Sequence, residues 1–293
     1  MNKGNKVRYV TNTKIDSLIS LIDTLIGTID SIGKSFEGKS ESELGILKLV
    51  YLDILKRTVP NLHSICILLG QYKAYNQYKI SIFLLLRTCL SDSLLGLYLS
   101  TYRMDKNSFE NEVNVIDRSY FVAMKKFLKE EPRYKIPVAS DTDLTKEFEN
   151  NFSNLRKGHP EFFKKDKSLK SNKELRSRSK KELFAIKRGE KPDMSYSPTD
   201  ENFYQRLIKF RALKAYGYIY LLIKFFAQYH HYAFKTRSLI ESNREFEFNK
   251  IVLSISFLYA TTDTFGNLLD LDKKLTAPLK KRIEEFLTFK TNS

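Results

Sequence analysis

Residues 75–101 form the most apolar stretch of the chain. Their middle, Ile80-Ser81-Ile82-Phe83-Leu84-Leu85-Leu86, would be apolar on nearly every face of a helix. A helix of that kind has no face to give to water, so other helices must surround it. Arg87 and Asp92 interrupt the run, which therefore reads as the central helix of a bundle and not as a membrane span.

The flanking segments supply the covering helices. Residues 14–33 place Ile15, Leu18, Ile19, Ile22, Leu25, Ile26, Ile29 and Ile32 at helical spacing close to a heptad, with Asp16, Asp23 and Asp30 on another face. Two readings stay open for this segment: a bundle helix, or a short coiled-coil contact that makes a homodimer. Ser40-Glu41-Ser42-Glu43 is a capping-box pattern. The helix after it carries Leu47, Val50, Tyr51, Ile54 and Leu55; Pro60 is expected to kink or end it near Val59, and Leu62, Ile65, Cys66 and Leu69 continue it until Gly70. A helix over 105–129, with Phe109, Val113, Ile116, Tyr120, Met124 and Phe127 on its apolar face, is expected to stop at Pro132. Ser197-Pro198-Thr199-Asp200 predicts a start for a long helix running to about His230. Another helix is expected over 245–271, and a last one capped by Thr276.

Only 11 Gly and 7 Pro argue against a turn-rich β fold, and 42% hydrophobic residues are enough for a sizeable core. The expected fold is all-α: a multi-helix bundle of about seven to nine helices with a basic, partly irregular insertion. Its expected parts are an N-terminal tail (1–13), a first bundle half (14–131), a basic insertion or linker (132–196) and a second half (197–293) packing on the first. The polar N-terminus shows no signal-peptide core, so a cytoplasmic, bacterial-type protein is expected.

The formal net charge is +16. Between Arg156 and Lys191, fourteen Lys or Arg stand against five Asp or Glu, so more than half of the excess lies in one stretch. Lys164, Lys165, Arg176, Arg178, Lys180 and Lys181 are its candidate phosphate-binding residues, because backbone phosphates attract cations without sequence readout. A solvated loop, or a dock for an acidic protein or lipid, would carry the same charges.

Arg87 and Asp92 sit five apart on a helix and need not pair with each other. Each requires a partner if buried, and Arg87 is a candidate anion ligand, with Asp92 a structural polar group. His230 and His231 lie together near a helix end, where either one could serve as a general acid or base. Adjacent positions point about 100° apart on a helix, so the pair does not make a metal site. His63 and His159 read as structural or solvent-exposed. Cys66 and Cys89 read as small buried hydrophobes, with no zinc or disulfide spacing. No phosphate loop, nucleophile elbow or dinucleotide fingerprint is present, and neither metal nor cofactor is expected.

Two segments resemble an uncharacterised group of bacterial all-helical proteins with a HEPN-like fold. Leu84-Leu85-Leu86-Arg87-Thr88-Cys89-Leu90-Ser91-Asp92 looks like that group's central Leu-Arg-x-x-x-acidic helix. Phe226-Ala227-Gln228-Tyr229-His230-His231 looks like its Ser-x-Tyr-x-His helix end. The resemblance implies a helical bundle, often encoded by mobile or defence-related loci. HEPN ribonucleases use an Arg and a His four to six residues apart, the Arg orienting phosphate and the His associated with 2′-OH attack. With five residues between, the position before His230 that would take this role holds Lys224 in place of Arg. Arg57 and His63 have the spacing, with Pro60 between them.

The expected function is RNA binding through the basic stretch. If the chain is an enzyme, it is a metal-independent RNA endonuclease using His230, His231 and Lys224, with Arg87 on phosphate. The alternative is a non-enzymatic scaffold whose basic stretch docks an acidic protein.

Overall fold

The computed structural model describes residues 12–72, 78–135, 141–176, 196–229, 244–278 and 281. Among these residues every named element is helical, and extended backbone pairs only in one isolated antiparallel bridge, Phe163 with Leu169. The all-α class and the multi-helix bundle are therefore as expected.

By their contacts, residues fall into two units: Met1–Ser100 with Phe203–Ser293, and Thr101–Asn202. This division differs from the expected boundaries. The helix over 106–135 joins the basic segment, not the first bundle half, because its inward face meets aromatic residues from that segment. Sequence periodicity showed that the helix had an apolar face but not what the face would meet.

In the first unit, α1 (Asn12–Lys34) buries Ile15, Leu18, Leu21, Ile22, Leu25, Ile26, Ile29 and Ile32, and leaves Asp16, Asp23 and Asp30 exposed. Its apolar stripe is covered by α2 (Glu41–Tyr72) and α9 (Arg244–Leu268) of the same chain. The capping box forms at the start of α2, where the Ser40 backbone N–H and hydroxyl donate to Glu43 Oε2 at 2.6 and 2.7 Å. Those two bonds hold the Glu43 carboxyl below the usual range. Gly45, at φ +69°, then breaks the first turn from the rest of the helix.

Pro60 does not end α2, which continues to Tyr72. The carbonyl that loses a donor belongs to Lys56, and Lys56 and Pro60 are both exposed, so water can replace the missing bond. Likewise Pro132 does not stop α4 (Lys106–Lys135), which runs on for less than a turn.

The central helix is α3 (Lys79–Ser100). It buries fourteen residues and is packed by α2, α8 (Tyr218–Ala227) and α9. By length and composition it is also the one described helix apolar enough to cross a membrane, a property it shares with buried core helices. Gly96 lets α9 approach: a Cβ there would lie 2.5 Å from Phe265 Cζ and 3.2 Å from Ile54 Cδ1. Phe265 is itself fully buried, with its ring centroid 5.1 Å from that of Tyr51. Gly96→Ala is expected to lower stability by about 1–3 kcal/mol through overpacking, despite alanine's better helix propensity. A urea titration showing Gly96→Ala as stable as the parent would remove this reading.

The long helix expected over 197–230 is two helices. α7 (Asp200–Leu207) starts at Thr199, whose Oγ1 accepts the Asn202 N–H at 3.3 Å, so Thr199 and not Ser197 is the cap. Turns over 208–213 and a 3₁₀ segment, Lys214–Gly217, lead into α8. Gly217 permits the reversal, since a Cβ there would sit 3.1 Å from Ile208 Cγ2 and 3.2 Å from the Tyr204 ring. Tyr204 then stacks on Tyr220 at 4.7 Å. A last helical stretch covers 273–278. It is capped by Asp272, whose Oδ1 accepts the Lys274 N–H at 2.9 Å, while Thr276 lies buried inside it.

In the second unit, α4, α5 (Asp141–Gly158) and α6 (Asn172–Leu175) enclose Val115, Phe121, Phe152, Phe162, Phe163 and Leu175. The inward stripe of α4 is rotated from the one expected: Phe109, Glu112, Val115 and Phe121 are buried, whereas Tyr120 and Phe127 are each 56% exposed.

Candidate nucleic-acid interface

Part of the basic stretch is a built element. Phe162 and Phe163 pack on Phe121 and Phe152, with ring centroids 4.5 to 6.1 Å apart. The chain then turns tightly through Lys164–Ser168, closed by Lys164 N–H donating to the Ser168 carbonyl at 2.9 Å and Lys170 N–H to the Phe162 carbonyl at 2.9 Å. Lys167 takes a left-handed conformation (φ +68°) at the tip. Arg118 braces the returning strand, donating to the Lys170 carbonyl and to Asn172 Oδ1. A second capping box, Ser171 with Glu174, starts α6. The Ser171 N–H first, and Lys164 next, pull the Glu174 carboxyl down to about 2, so it stays ionised and pairs with Lys164 at 2.9 Å.

Several cations remain on the surface of this element. Lys157, Lys165, Lys167 and Lys173 are exposed, while Lys164 is shared with Glu174. Arg176 does not belong with them. Its side chain is 1% exposed and is bound in both directions: Nε to Glu112 Oε1 at 2.7 Å and Nη2 to Glu112 Oε2 at 3.3 Å. Nη1 donates to the Tyr196 carbonyl at 2.9 Å, and the guanidinium lies 3.7 Å from the Tyr196 ring centroid. The expected phosphate ligand is a buried structural arginine with its donors committed. Arg178, Lys180 and Lys181 lie outside the described residues.

The candidates of the first unit separate in the same way. Asp92, on α3, is buried and accepts from Arg57 Nη2 at 3.2 Å, so it pairs across helices with α2 and not with Arg87. Arg57 thereby leaves the Arg57–His63 spacing with its guanidinium on a carboxylate, and His63 is exposed. Arg87 is half-buried, and no carboxylate among the described residues pairs with it. Lys224 is exposed on α8, its ammonium 5.2 Å from the Tyr220 ring centroid. His230 and His231 fall outside the described residues.

One constellation had no local signal in the sequence. Lys79 Nζ lies 3.1 Å from both carboxylate oxygens of Glu247, and the two side chains are 6% and 3% exposed. Tyr229 donates to the same carboxylate at 3.1 Å. Burial, then the Glu247 charge, pushes the Tyr229 phenol above its ordinary range, so it remains a proton donor in this bond. Lys79 and Glu247 are 168 residues apart in the chain.

Burial pushes both thiols up to about 12, so Cys66 and Cys89 are not nucleophiles near neutral pH. His159 Nδ1 is 3.6 Å from Glu161, and its ring rests 5.2 Å from that of Phe121. Burial raises the nearby Asp117 carboxyl, against the opposing pull of His159. Among the described residues, no three His, Cys, Asp or Glu side chains cluster as metal ligands. No protein-family model, curated protein or solved structure matches the chain.

Proposed function

We propose that this chain is a HEPN-like helical RNA-binding protein acting in the bacterial cytoplasm, in a defence or toxin-type system, with the basic segment of the second unit as its phosphate contact. The observation that supports this reading is the presentation of Lys157, Lys165, Lys167 and Lys173 on an element anchored by Phe162 and Phe163. Cations on a preorganised loop lose little conformational freedom on binding a polyanion. Binding is a better-supported role than cleavage, because Arg57 is held by Asp92 and Lys224 stands where the resemblance would place an arginine.

Labelled single-stranded RNA should bind with an affinity that falls steeply with salt. Lys165→Glu with Lys167→Glu should reduce affinity and lower the log–log salt slope by roughly 1.4, at about 0.7 per lost phosphate contact. Anisotropy titrations across a salt series measure both. An unchanged slope, or no binding at low salt, rejects the proposal. Recovery of a stoichiometric acidic protein in place of RNA would favour the scaffold reading.

A further inference from the structure

A second surface, in the first unit, combines exposed rings with unopposed positive charge. From Asn202 to Tyr229 the chain carries Arg206, Lys209, Arg211, Lys214 and Lys224, and no Asp or Glu at all. Lys209, Arg211 and Lys214 are exposed, and no carboxylate among the described residues pairs with them. On α8, Tyr218 is 38% and Leu221 51% exposed, and on the first turn of α9 Phe246 is 48% exposed.

Tyr218 and Phe246 share the face where α8 packs on α9. Tyr218 stacks on Phe257 of α9 at 6.0 Å and 13°, and Phe225 meets Phe246 edge-on at 5.8 Å, so α8 and α9 run antiparallel beneath them. Lys250 joins the two ends: its ammonium is 5.6 Å from the Tyr218 ring centroid, 5.0 Å from that of Phe246, and 3.1 Å from the Tyr218 hydroxyl. Lys214 sits one turn before Tyr218, and Lys224 three residues beyond Leu221. Of the carboxylates on the first turn of α9, Glu247 is turned inward onto Lys79, and Glu245 is half-buried and already engaged.

We propose that this α8–α9 face binds single-stranded nucleic acid, its rings stacking on bases and its flanking lysines holding phosphates. The inference rests on the reading of RNA as the ligand and adds a contact surface to it. Stacking tolerates any base, so a face without hydrogen-bonding readout suits an unstacked strand. A second copy of the chain does not fit, since it would bring the same cations against themselves. A lipid surface fits less well, because membrane faces insert their apolar side chains deeply, and here about half of each ring or branch is already held by the bundle.

The test uses the full-length chain and a labelled oligouridylate of about 16 nucleotides. Phe246→Ala with Leu221→Ser should weaken binding roughly tenfold with an unchanged salt slope, because stacking releases no counterions. Lys214→Glu should lower the slope by about 0.7. Phe246→Leu preserves the apolar contact with Phe225 while removing the ring, and should still weaken binding if Phe246→Ala perturbs the fold. Wild-type affinity in the Phe246 variants, with circular dichroism matching the parent, overturns the inference. So does Leu221-dependent sedimentation with anionic vesicles in place of RNA binding. Lys165→Glu with Lys167→Glu separates the two readings. Loss there with no effect at Phe246 leaves the second unit as the interface, and the converse leaves α8–α9. No RNA binding by the parent chain removes both.

Discussion

Arg176→Met should destabilise the second unit by about 3–5 kcal/mol, because it strands the Glu112 carboxylate without a counter-charge in a buried place. The two side chains are 1% and 2% exposed and meet through two hydrogen bonds, so water cannot replace the lost partner. Tyr196 is drawn into the loss: its carbonyl loses the Nη1 donor, and its ring loses the guanidinium 3.7 Å from its centroid. A whole domain is stable by about 5–15 kcal/mol, so the substitution should bring this unit close to unfolding at ordinary temperature. Arg176→Lys keeps the charge but gives up the bidentate fork and the planar stack, and should fall between the two. Replacing both partners, Arg176→Met with Glu112→Leu, should recover most of the loss. Urea unfolding followed by circular dichroism measures the series, with Lys173→Met as an exposed control for the change in net charge. If Arg176→Met lies within about 1 kcal/mol of the parent, the pair does not hold the unit together. In the same preparation Arg176→Lys should bind RNA as the parent does, since none of its donors faces solvent.

Local pattern carried the sequence reading as far as local physics reaches. The spacing of Ile15, Leu18, Ile22, Leu25, Ile29 and Ile32 placed α1 within two residues of its start and one of its end, because a stripe at helical period has one way to be buried. The Ser40–Glu43 box was equally legible, since both partners lie within one turn. Failures came where a rule depends on surroundings. Pro132 was expected to stop α4, yet that helix runs on to Lys135, whereas α2 continues past Pro60 as Leu62, Ile65 and Leu69 indicated. The reversal at Gly217 depends on Tyr204 and Ile208, which a search for helix starts does not weigh.

The site was less legible than the fold for the same reason. Arg176 looked like its neighbours in a basic run, and its carboxylate partner lies 64 residues away. Asp92 was singled out correctly as a buried charge needing a partner, but nothing in the sequence named Arg57. The absence of acids from 202 to 229 was readable, yet the many Tyr, Phe, Leu and Ile around those cations make the stretch read as helix core. Only exposure separates Tyr218, Leu221 and Phe246 from the rings buried beside them.

Glu247→Gln should cost the first unit about 3–5 kcal/mol, and Lys79→Met a similar amount, while the two together should cost far less than their sum. Each single change leaves one buried charge without its opposite, on groups 6% and 3% exposed. The double variant removes both charges, and the glutamine oxygen can still accept the Tyr229 hydroxyl that Glu247 Oε1 accepts at 3.1 Å. The bridge joins the first residue of α3 to the first turn of α9, and through Tyr229 it fixes the backbone just past the end of α8. His230 follows Tyr229 directly in sequence. A double-mutant cycle in urea, read by circular dichroism, gives the coupling energy, which should reach about 3 kcal/mol or more. Additive single losses would mean that the three groups do not act as a unit. If the His230–His231 segment contributes to RNA handling, Tyr229→Phe should alter that activity with a stability loss of only about 1 kcal/mol, because it removes one hydrogen bond and leaves the Lys79–Glu247 pair in place.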